Sequence, residues 1–182
     1  MQPDVPGDVK DWTWVLQRPC RECGLTAADV PLDDVAPRLR GNTAGWLRVL
    51  AEPGVRERPR PQVWSPLEYA CHVRDVHRVY DGRLTLMLEQ DDPLYPDWDQ
   101  DATARAARYA EQDPARVAVA LQEAGDRLAG RFAALVPAQW ERPGRRSDGA
   151  CFTVASFARY FLHDVLHHAW DVTGVPAPEQ PR

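Results

Sequence analysis

The stretch that decides the fold lies near the C-terminus and reads Ser156-Phe157-Ala158-Arg159-Tyr160-Phe161-Leu162-His163-Asp164-Val165-Leu166-His167-His168-Ala169-Trp170-Asp171. Its apolar residues recur at spacings of three and four, which predicts an amphipathic helix with one buried face. Three of the chain's five histidines fall here. His163 and His167 are four residues apart, so the helix places both imidazoles on one face, where they can bind one metal ion.

This histidine pair also has simpler interpretations. An exposed pair at this spacing is often without function, and a buried histidine is more often hydrogen-bonded than bound to a metal. Zinc sites that perform chemistry usually have three protein ligands and one open position. A third ligand must therefore come from another part of the chain.

Length, composition and charge limit the class of protein. The chain has 182 residues, 44% hydrophobic and 27% charged, which suits one globular domain. Its net charge of -5 and the lack of a basic cluster argue against nucleic acid or an anionic membrane as partner. The sequence shows no apolar run near the ~20 residues of a membrane span and no secretion signal at its start. We expect a cytoplasmic protein that acts on a small molecule.

The cysteines include one short motif, Cys20-Arg21-Glu22-Cys23. It matches half of a zinc knuckle or a redox pair, but a knuckle needs a second pair, and Cys71 and Cys151 are single. The flanking Pro19 and Gly24 predict only a turn. We interpret the motif as structural or incidental.

Helical patterns organise the rest of the chain. Residues 1–31 are polar and rich in proline, and we expect an extended arm that docks Trp12 and Trp14 on the body. Helices are predicted over 32–51, 65–89 and 113–135 and in the C-terminal stretch; Ser65-Pro66-Leu67-Glu68 has the pattern of an N-terminal capping box. The pattern is that of an all-α four-helix bundle over 32–174, followed by a tail at 175–182. Residues 91–112 form its long crossover between helices two and three, 137–149 a polar loop, and no strand pattern is found.

The second helix carries the two remaining histidines, His72 and His77. They are five residues apart, about 140° around a helix, so both cannot bind the same ion. One of them at most is the third ligand.

Two segments together resemble a known family. Trp64-Ser65-Pro66-Leu67-Glu68-Tyr69-Ala70-Cys71-His72-Val73-Arg74-Asp75, followed by His163-Asp164-Val165-Leu166-His167-His168-Ala169-Trp170-Asp171, is similar to the DinB/YfiT-like family over about residues 32–174. That family includes mycothiol-dependent maleylpyruvate isomerase and bacillithiol transferases. The resemblance implies a four-helix bundle in which one histidine of helix two and an H-x-x-x-H on helix four bind a divalent metal.

Carried onto this chain, the resemblance makes His72, His163 and His167 the metal ligands, with His77 as the alternative to His72. Asp164 and His168 form a second pair at the same spacing, rotated off that face, and are expected to support the ligands or lie at the surface. Asp75 or Tyr160 is expected to orient a ligand imidazole. In the isomerase branch the first ligand of helix four is commonly glutamate, where this chain has His163.

The implied cofactors are a divalent metal, with zinc first and nickel, iron or manganese as alternatives, and a low-molecular-weight thiol. The expected function is a small-thiol S-transferase acting on an electrophile. The alternatives are a metal-dependent hydrolase that activates water and a non-enzymatic metal-binding stress-response protein. The 91–100 connection and Arg74, Arg78 or Arg159 are expected to shape the mouth of the site, and apolar helix surface is compatible with a homodimer.

Overall fold

The structure, a computed structural model, describes residue 5 and residues 11–177. The helices are α1 Leu32–Ala51, α2 Pro66–Glu89, α3 Gln100–Ala106, α4 Pro114–Ala133, α5 Pro137–Trp140 and α6 Val154–Thr173. The strands are β1 Leu94–Tyr95, β2 Pro143–Arg146 and β3 Cys151–Thr153. The four long helices α1, α2, α4 and α6 confirm the predicted four-helix bundle.

The bundle is built from two helix pairs. Helix α4 packs against both α1 and α2, and α6 packs against the same two helices. The core between them is rich in aromatic rings: Phe161 contacts Tyr80 and Phe132, with ring centroids 4.7 and 6.2 Å apart. Because α6 contacts both α1 and α2, its side chains face α2 on one side and α1 on the other.

Both helices that carry histidines begin at a capped residue. The Ser65 hydroxyl accepts the backbone N–H of Glu68 at 3.3 Å, and the Glu68 carboxylate accepts the N–H of Ser65 at 2.8 Å, which confirms the predicted capping box. Thr153 caps α6 in the same way, accepting the N–H of Ser156 at 3.2 Å. These caps fix where each helix begins.

A small sheet closes one end of the bundle. Strand β2 pairs with β1 in parallel and with β3 antiparallel. The prediction that residues 137–149 form only a polar loop was therefore wrong, because strands of two to four residues are too short to show an alternating pattern. Strand β3 leads directly into α6 and holds its first turn against the sheet.

Part of the N-terminal arm packs on the body. Residues 13–16 and 27–29 form single 3₁₀ turns, and both turns contact α6. Val15, Cys23 and Val30 are fully buried there. Residues 1–4 and 6–10 of the predicted arm, and 178–182 of the tail, lie outside the described residues.

No helix in the described part of the chain is both long and apolar enough to cross a membrane.

Gly125 lies where α4 packs tightly against α1. A Cβ added there would lie 2.4 Å from Oγ1 and 3.3 Å from Cβ of Thr43, whose hydroxyl donates to the Leu39 carbonyl. We expect Gly125→Ala to lower the free energy of unfolding by about 1–3 kcal/mol, because the helices must separate to admit a methyl group. Gly130→Ala on the same helix is the control, since its Cβ meets nothing within 4 Å and alanine favours helix by about 1 kcal/mol. Urea denaturation of both variants measures the difference, and equal stabilities would contradict it.

Candidate metal centre

A cavity of about 720 Å³ opens beside α2 and α6. Four of the chain's five histidines line it, together with Asp164 of α6. Their potential ligand atoms fall into two separate groups: His72, Asp164 and His168 form one, and Cys20, Cys23, His163 and His167 form the other. Within each group the ligand atoms all lie within 4.8 Å of one another.

The first group joins α2 to α6. Nε2 of His72 lies 3.1 Å from Nε2 of His168, and the same His168 nitrogen lies 3.1 Å from Oδ1 of Asp164. Asp164 and His168 are four residues apart, so one face of α6 presents both. Two imidazole nitrogens and one carboxylate oxygen thus converge from two helices on one point at the cavity wall.

Neighbouring groups hold these rings in place. Nδ1 of His168 lies 3.2 Å from Oδ2 of Asp171, one turn further along α6. This contact fixes a hydrogen on Nδ1 and leaves Nε2 to face His72 and Asp164. Trp98 stacks on the His72 ring at a centroid distance of 5.5 Å and an angle of 8°, and Trp64 approaches it at 5.2 Å. The segment between α2 and α3 therefore supplies one wall of the site.

The three side chains of the first group have different charges. Burial and the neighbouring His168 lower the pKa of His72 to about 3. Burial would also lower the pKa of His168, but the Asp164 and Asp171 carboxylates outweigh it and raise that pKa to about 9. Burial would raise the pKa of Asp164, but its contact with His168 lowers it to about 2. Without a metal, a neutral imidazole, an imidazolium and a carboxylate meet here at neutral pH.

The second group joins the arm to an adjacent face of the same turns of α6. Sγ of Cys20 lies 3.6 Å from Nδ1 of His167, and all four of its side chains are buried. The ring of Trp12 covers the two histidines at 5.0 Å from His167 and 5.7 Å from His163. Burial and the neighbouring His167 lower the pKa of His163 to about 4. Burial also lowers the pKa of His167 below its ordinary value. Both shifts favour the neutral imidazole, the form that binds a metal.

Comparison with known proteins identifies the family. A sequence model of the DinB superfamily matches residues 37–172, three quarters of the chain. The chain belongs to the DinB superfamily. No curated protein sequence matches it.

Two solved DinB-like structures share its fold. YfiT from Bacillus subtilis, described as "a probable metal-dependent hydrolase with an unusual four-helix bundle topology", aligns with a TM-score of 0.72 and 20% identity over 79% of this chain and 84% of that one. The mycothiol-dependent maleylpyruvate isomerase aligns with a TM-score of 0.64 and 13% identity over 84% of this chain and 66% of that one. At these identities the similarity establishes the fold.

Within this DinB fold, the three sequence-predicted ligands do not come together. His72 lies in the first group, whereas His163 and His167 lie in the second with the cysteines. The partners of His72 are instead Asp164 and His168, which were expected in supporting or surface positions. The pairs 163/167 and 164/168 have the same spacing but differ by about 100° around the helix, and the packing of α6 turns the second pair toward α2.

The other predicted site residues occupy different positions. His77 is fully buried, its Nδ1 lies 2.6 Å from the Val73 carbonyl, and it belongs to neither group. Asp75 accepts hydrogen bonds from Arg74, Arg78 and Tyr109 rather than from a histidine. The Tyr160 hydroxyl lies at the cavity and accepts from Arg146 at 3.2 Å.

Arginines other than the expected ones line the cavity. Arg74 is paired with Asp75, and Arg159 donates to the Val30 carbonyl. The cavity instead contains Arg83 and Arg146. Arg83 is 8% exposed, and its guanidinium lies over the rings of Tyr80 and Tyr95 and donates to the Pro96 carbonyl at 3.3 Å. It forms no ion pair with a carboxylate of the described residues. Nothing in the sequence marks Arg83, since it appears as one more charge on a long helix.

Proposed function

We propose that this DinB-superfamily chain is a metal-dependent enzyme that transfers a small thiol to an electrophilic small molecule. The observation that carries the proposal is the convergence of His72, Asp164 and His168 at the wall of a cavity of about 720 Å³. Sites for small molecules in bundles typically lie in such clefts, beside a few convergent polar groups.

The three side chains fit a divalent metal. Two imidazoles and one carboxylate, with a further position open to the cavity, are a ligand set of catalytic zinc sites. Zinc suits these ligands, and nickel, iron and manganese accept them as well. The Asp171 contact to Nδ1 of His168 gives that ligand the carboxylate support typical of metal-bound histidines. When bound, the ion supplies a positive charge that favours deprotonation of a thiol or of water.

The residues around the three ligands exclude water and bind the reactants. Trp64 and Trp98 shield His72 from water on two sides, which strengthens electrostatic interactions at the site. Arg83 offers a buried positive charge without a carboxylate partner in the described part of the chain, and we assign it to an anionic group of the thiol or the electrophile. Arg146 is already paired with Asp148 and Tyr160, so it forms a rigid wall.

Transfer of a thiol is supported by the similarity to the mycothiol-dependent maleylpyruvate isomerase, whose name states that it uses a thiol. The position that is commonly glutamate in that branch is His163 here, and the carboxylate of the first group comes instead from Asp164, one residue further along α6. In the proposed reaction the sulfur forms a bond to an electrophilic carbon, the leaving group departs with its bonding electrons, and the thiol proton goes to solvent. The thiol and the electrophile are the co-reactants, and nothing is oxidised or reduced.

Hydrolysis is the second candidate. It is supported by the similarity to YfiT, whose description as a probable metal-dependent hydrolase applies to that protein. The same ligand set serves both reactions, so the two differ only in whether a thiol or water attacks.

A thiol-dependence assay separates these candidates. The zinc-loaded protein is incubated with mycothiol or bacillithiol and a chlorobimane electrophile, and separately with ester, amide and phosphate substrates without thiol. We expect turnover only with thiol and metal, and a loss of at least about 100-fold in His168→Gln. Turnover without thiol that depends on His168 would replace transfer with hydrolysis. No metal-dependent turnover in either arm would overturn the enzyme proposal.

The same assay tests Arg83. We expect Arg83→Gln to raise the KM for an anionic reactant by about 10-fold or more while kcat changes little, because the lost charge acts in binding. Arg78→Gln, on the same helix and 54% exposed, is the control. If the KM of Arg83→Gln for the anionic reactant equalled that of the wild type, Arg83 would not belong to the binding site.

A further inference from the structure

The second group has a complete set of ligands for a closed metal site. Cys20, Cys23, His163 and His167 are 1%, 0%, 3% and 7% exposed, and their ligand atoms lie within 4.8 Å of one another. Four sulfur and nitrogen ligands fill a tetrahedral zinc shell and leave no position for a substrate, as in structural zinc sites. The spacings C-x₂-C and H-x₃-H are those typical of such sites.

The distance between one sulfur and one nitrogen of the group fits zinc. Zn–S bonds of about 2.3 Å and Zn–N bonds of about 2.0–2.1 Å, set at tetrahedral angles, place sulfur and nitrogen about 3.6 Å apart. Sγ of Cys20 and Nδ1 of His167 are 3.6 Å apart. The two side chains therefore already have the separation that a shared zinc ion requires.

Glu22 supports the ligand that Cys20 faces. Its Oε2 lies 3.3 Å from Nε2 of His167, the ring nitrogen opposite Nδ1. A carboxylate on the far nitrogen fixes the hydrogen there and leaves Nδ1 free to bind a cation. Glu22 belongs to the C-x-x-C motif itself, so the arm supplies two sulfur ligands and the group that orients a third ligand.

A metal ion would provide a partner for a buried nitrogen of His163. Its Nε2 is buried and has no hydrogen-bond partner among the described residues. A buried polar atom without a partner costs about 1–3 kcal/mol, so such atoms point to a missing ion or water. A zinc ion bound between this histidine and the two buried cysteines would remove the cost of the unpaired nitrogen.

The backbone of the motif holds the sulfur atoms together. The Gly24 N–H donates to the Cys20 carbonyl at 3.0 Å, and the Cys20 N–H donates to the Leu25 carbonyl at 2.9 Å. The turn requires a φ of +79° at Gly24, a conformation that glycine adopts without strain. The motif is therefore shaped as a ligand loop before any ion arrives.

We propose that Cys20, Cys23, His163 and His167 form a structural zinc site that fastens the N-terminal arm to α6. The site lies beside the His72, Asp164 and His168 group on α6 but uses none of its ligands. Through the arm it positions Trp12 over His163 and His167, where Trp12 lines the cavity. Loss of this zinc releases one wall of the cavity.

Cobalt substitution in the full chain tests the proposal. Cobalt bound by thiolates gives sulfur-to-metal charge-transfer absorption in the near ultraviolet, which a site with only nitrogen and oxygen ligands lacks. We expect this absorption in the wild type and in Asp164→Asn, and its loss in the double variant Cys20→Ser/Cys23→Ser. Cys151→Ser is the matched control, because Cys151 is exposed and belongs to neither group.

Three results would overturn the proposal: no charge-transfer absorption in the wild type, absorption that persists in the double variant, or a Cys20–Cys23 disulfide that persists in protein purified in the presence of a thiol reductant. Should the double variant fail to fold, X-ray absorption at the zinc edge of Asp164→Asn counts the sulfur ligands directly. Two sulfurs per zinc support the site, and fewer than two overturn it.

Discussion

Asp164→Asn is expected to weaken zinc binding at the cavity site by more than about 100-fold. Removing a residue that merely supports a ligand typically costs 10–100-fold in metal affinity, and Asp164 is placed as a ligand itself. The neutral amide is a weaker ligand and no longer offsets the charge of the ion. Competition with a chromophoric chelator measures the affinity for zinc, and the thiolate absorption of the cobalt-substituted protein reports separately on the cysteine site.

Two further variants make this experiment decisive. Asp171→Asn removes only the contact to Nδ1 of His168, and we expect a smaller loss of about 10–100-fold. Asp148→Asn alters a cavity-lining carboxylate that is paired with Arg146, and we expect no change in affinity. If Asp164→Asn bound zinc normally at the cavity site while His163→Gln abolished that binding, the ligands would be His72, His163 and His167, as the sequence predicts.

The sequence predicts the helices well because their ends carry local signals. Ser65 and Glu68 mark the start of α2 through contacts within one turn, so neighbouring residues suffice to locate it. The short strands are invisible because two to four residues carry no periodicity. The sequence shows the buried face of a helix only as a broad stripe of apolar residues. The width of this stripe leaves the rotation of the helix about its own axis uncertain by about one residue, or 100°.

That uncertainty explains the assignment of ligands. His163 with His167 and Asp164 with His168 have the same spacing, and only the packing of α6 against α2 brings the second pair to His72. The partner of the cysteine motif is equally hidden, because Cys20 and His167 are 147 residues apart. The chain has no second cysteine pair, because the other two ligands of the proposed site are histidines. Two half motifs with zinc-like spacing in one short chain are the signal that would have joined them.

Asp75→Asn is expected to lower the free energy of unfolding by about 3–5 kcal/mol, the usual cost of removing one partner from a buried ion pair. The Asp75 carboxylate accepts from Arg74 at 2.9 and 2.8 Å and from the Tyr109 hydroxyl at 2.7 Å. The side chains of Asp75 and Arg74 are only 11% and 8% exposed, so water cannot replace the lost bonds. The asparagine amide group would also place its N–H donors against the donor groups of Arg74 and Tyr109.

The pH dependence of this difference identifies its cause. Burial would raise the pKa of Asp75, but the hydrogen bonds from Arg74 and Tyr109 and the charges of Arg74 and Arg78 outweigh it and lower the pKa below its ordinary value. A folded-state pKa below the unfolded value gives stability that is present above the unfolded pKa of about 3.9 and is lost as the pH falls through the folded pKa. We therefore expect urea denaturation to show the full gap between wild type and Asp75→Asn at pH 7, and a gap that narrows below about pH 4. Glu111→Gln, which breaks an exposed pair with Arg108, is the control and should cost less than about 1 kcal/mol. A gap that stays constant down to pH 3 would mean that lost packing, rather than lost charge, destabilises the variant.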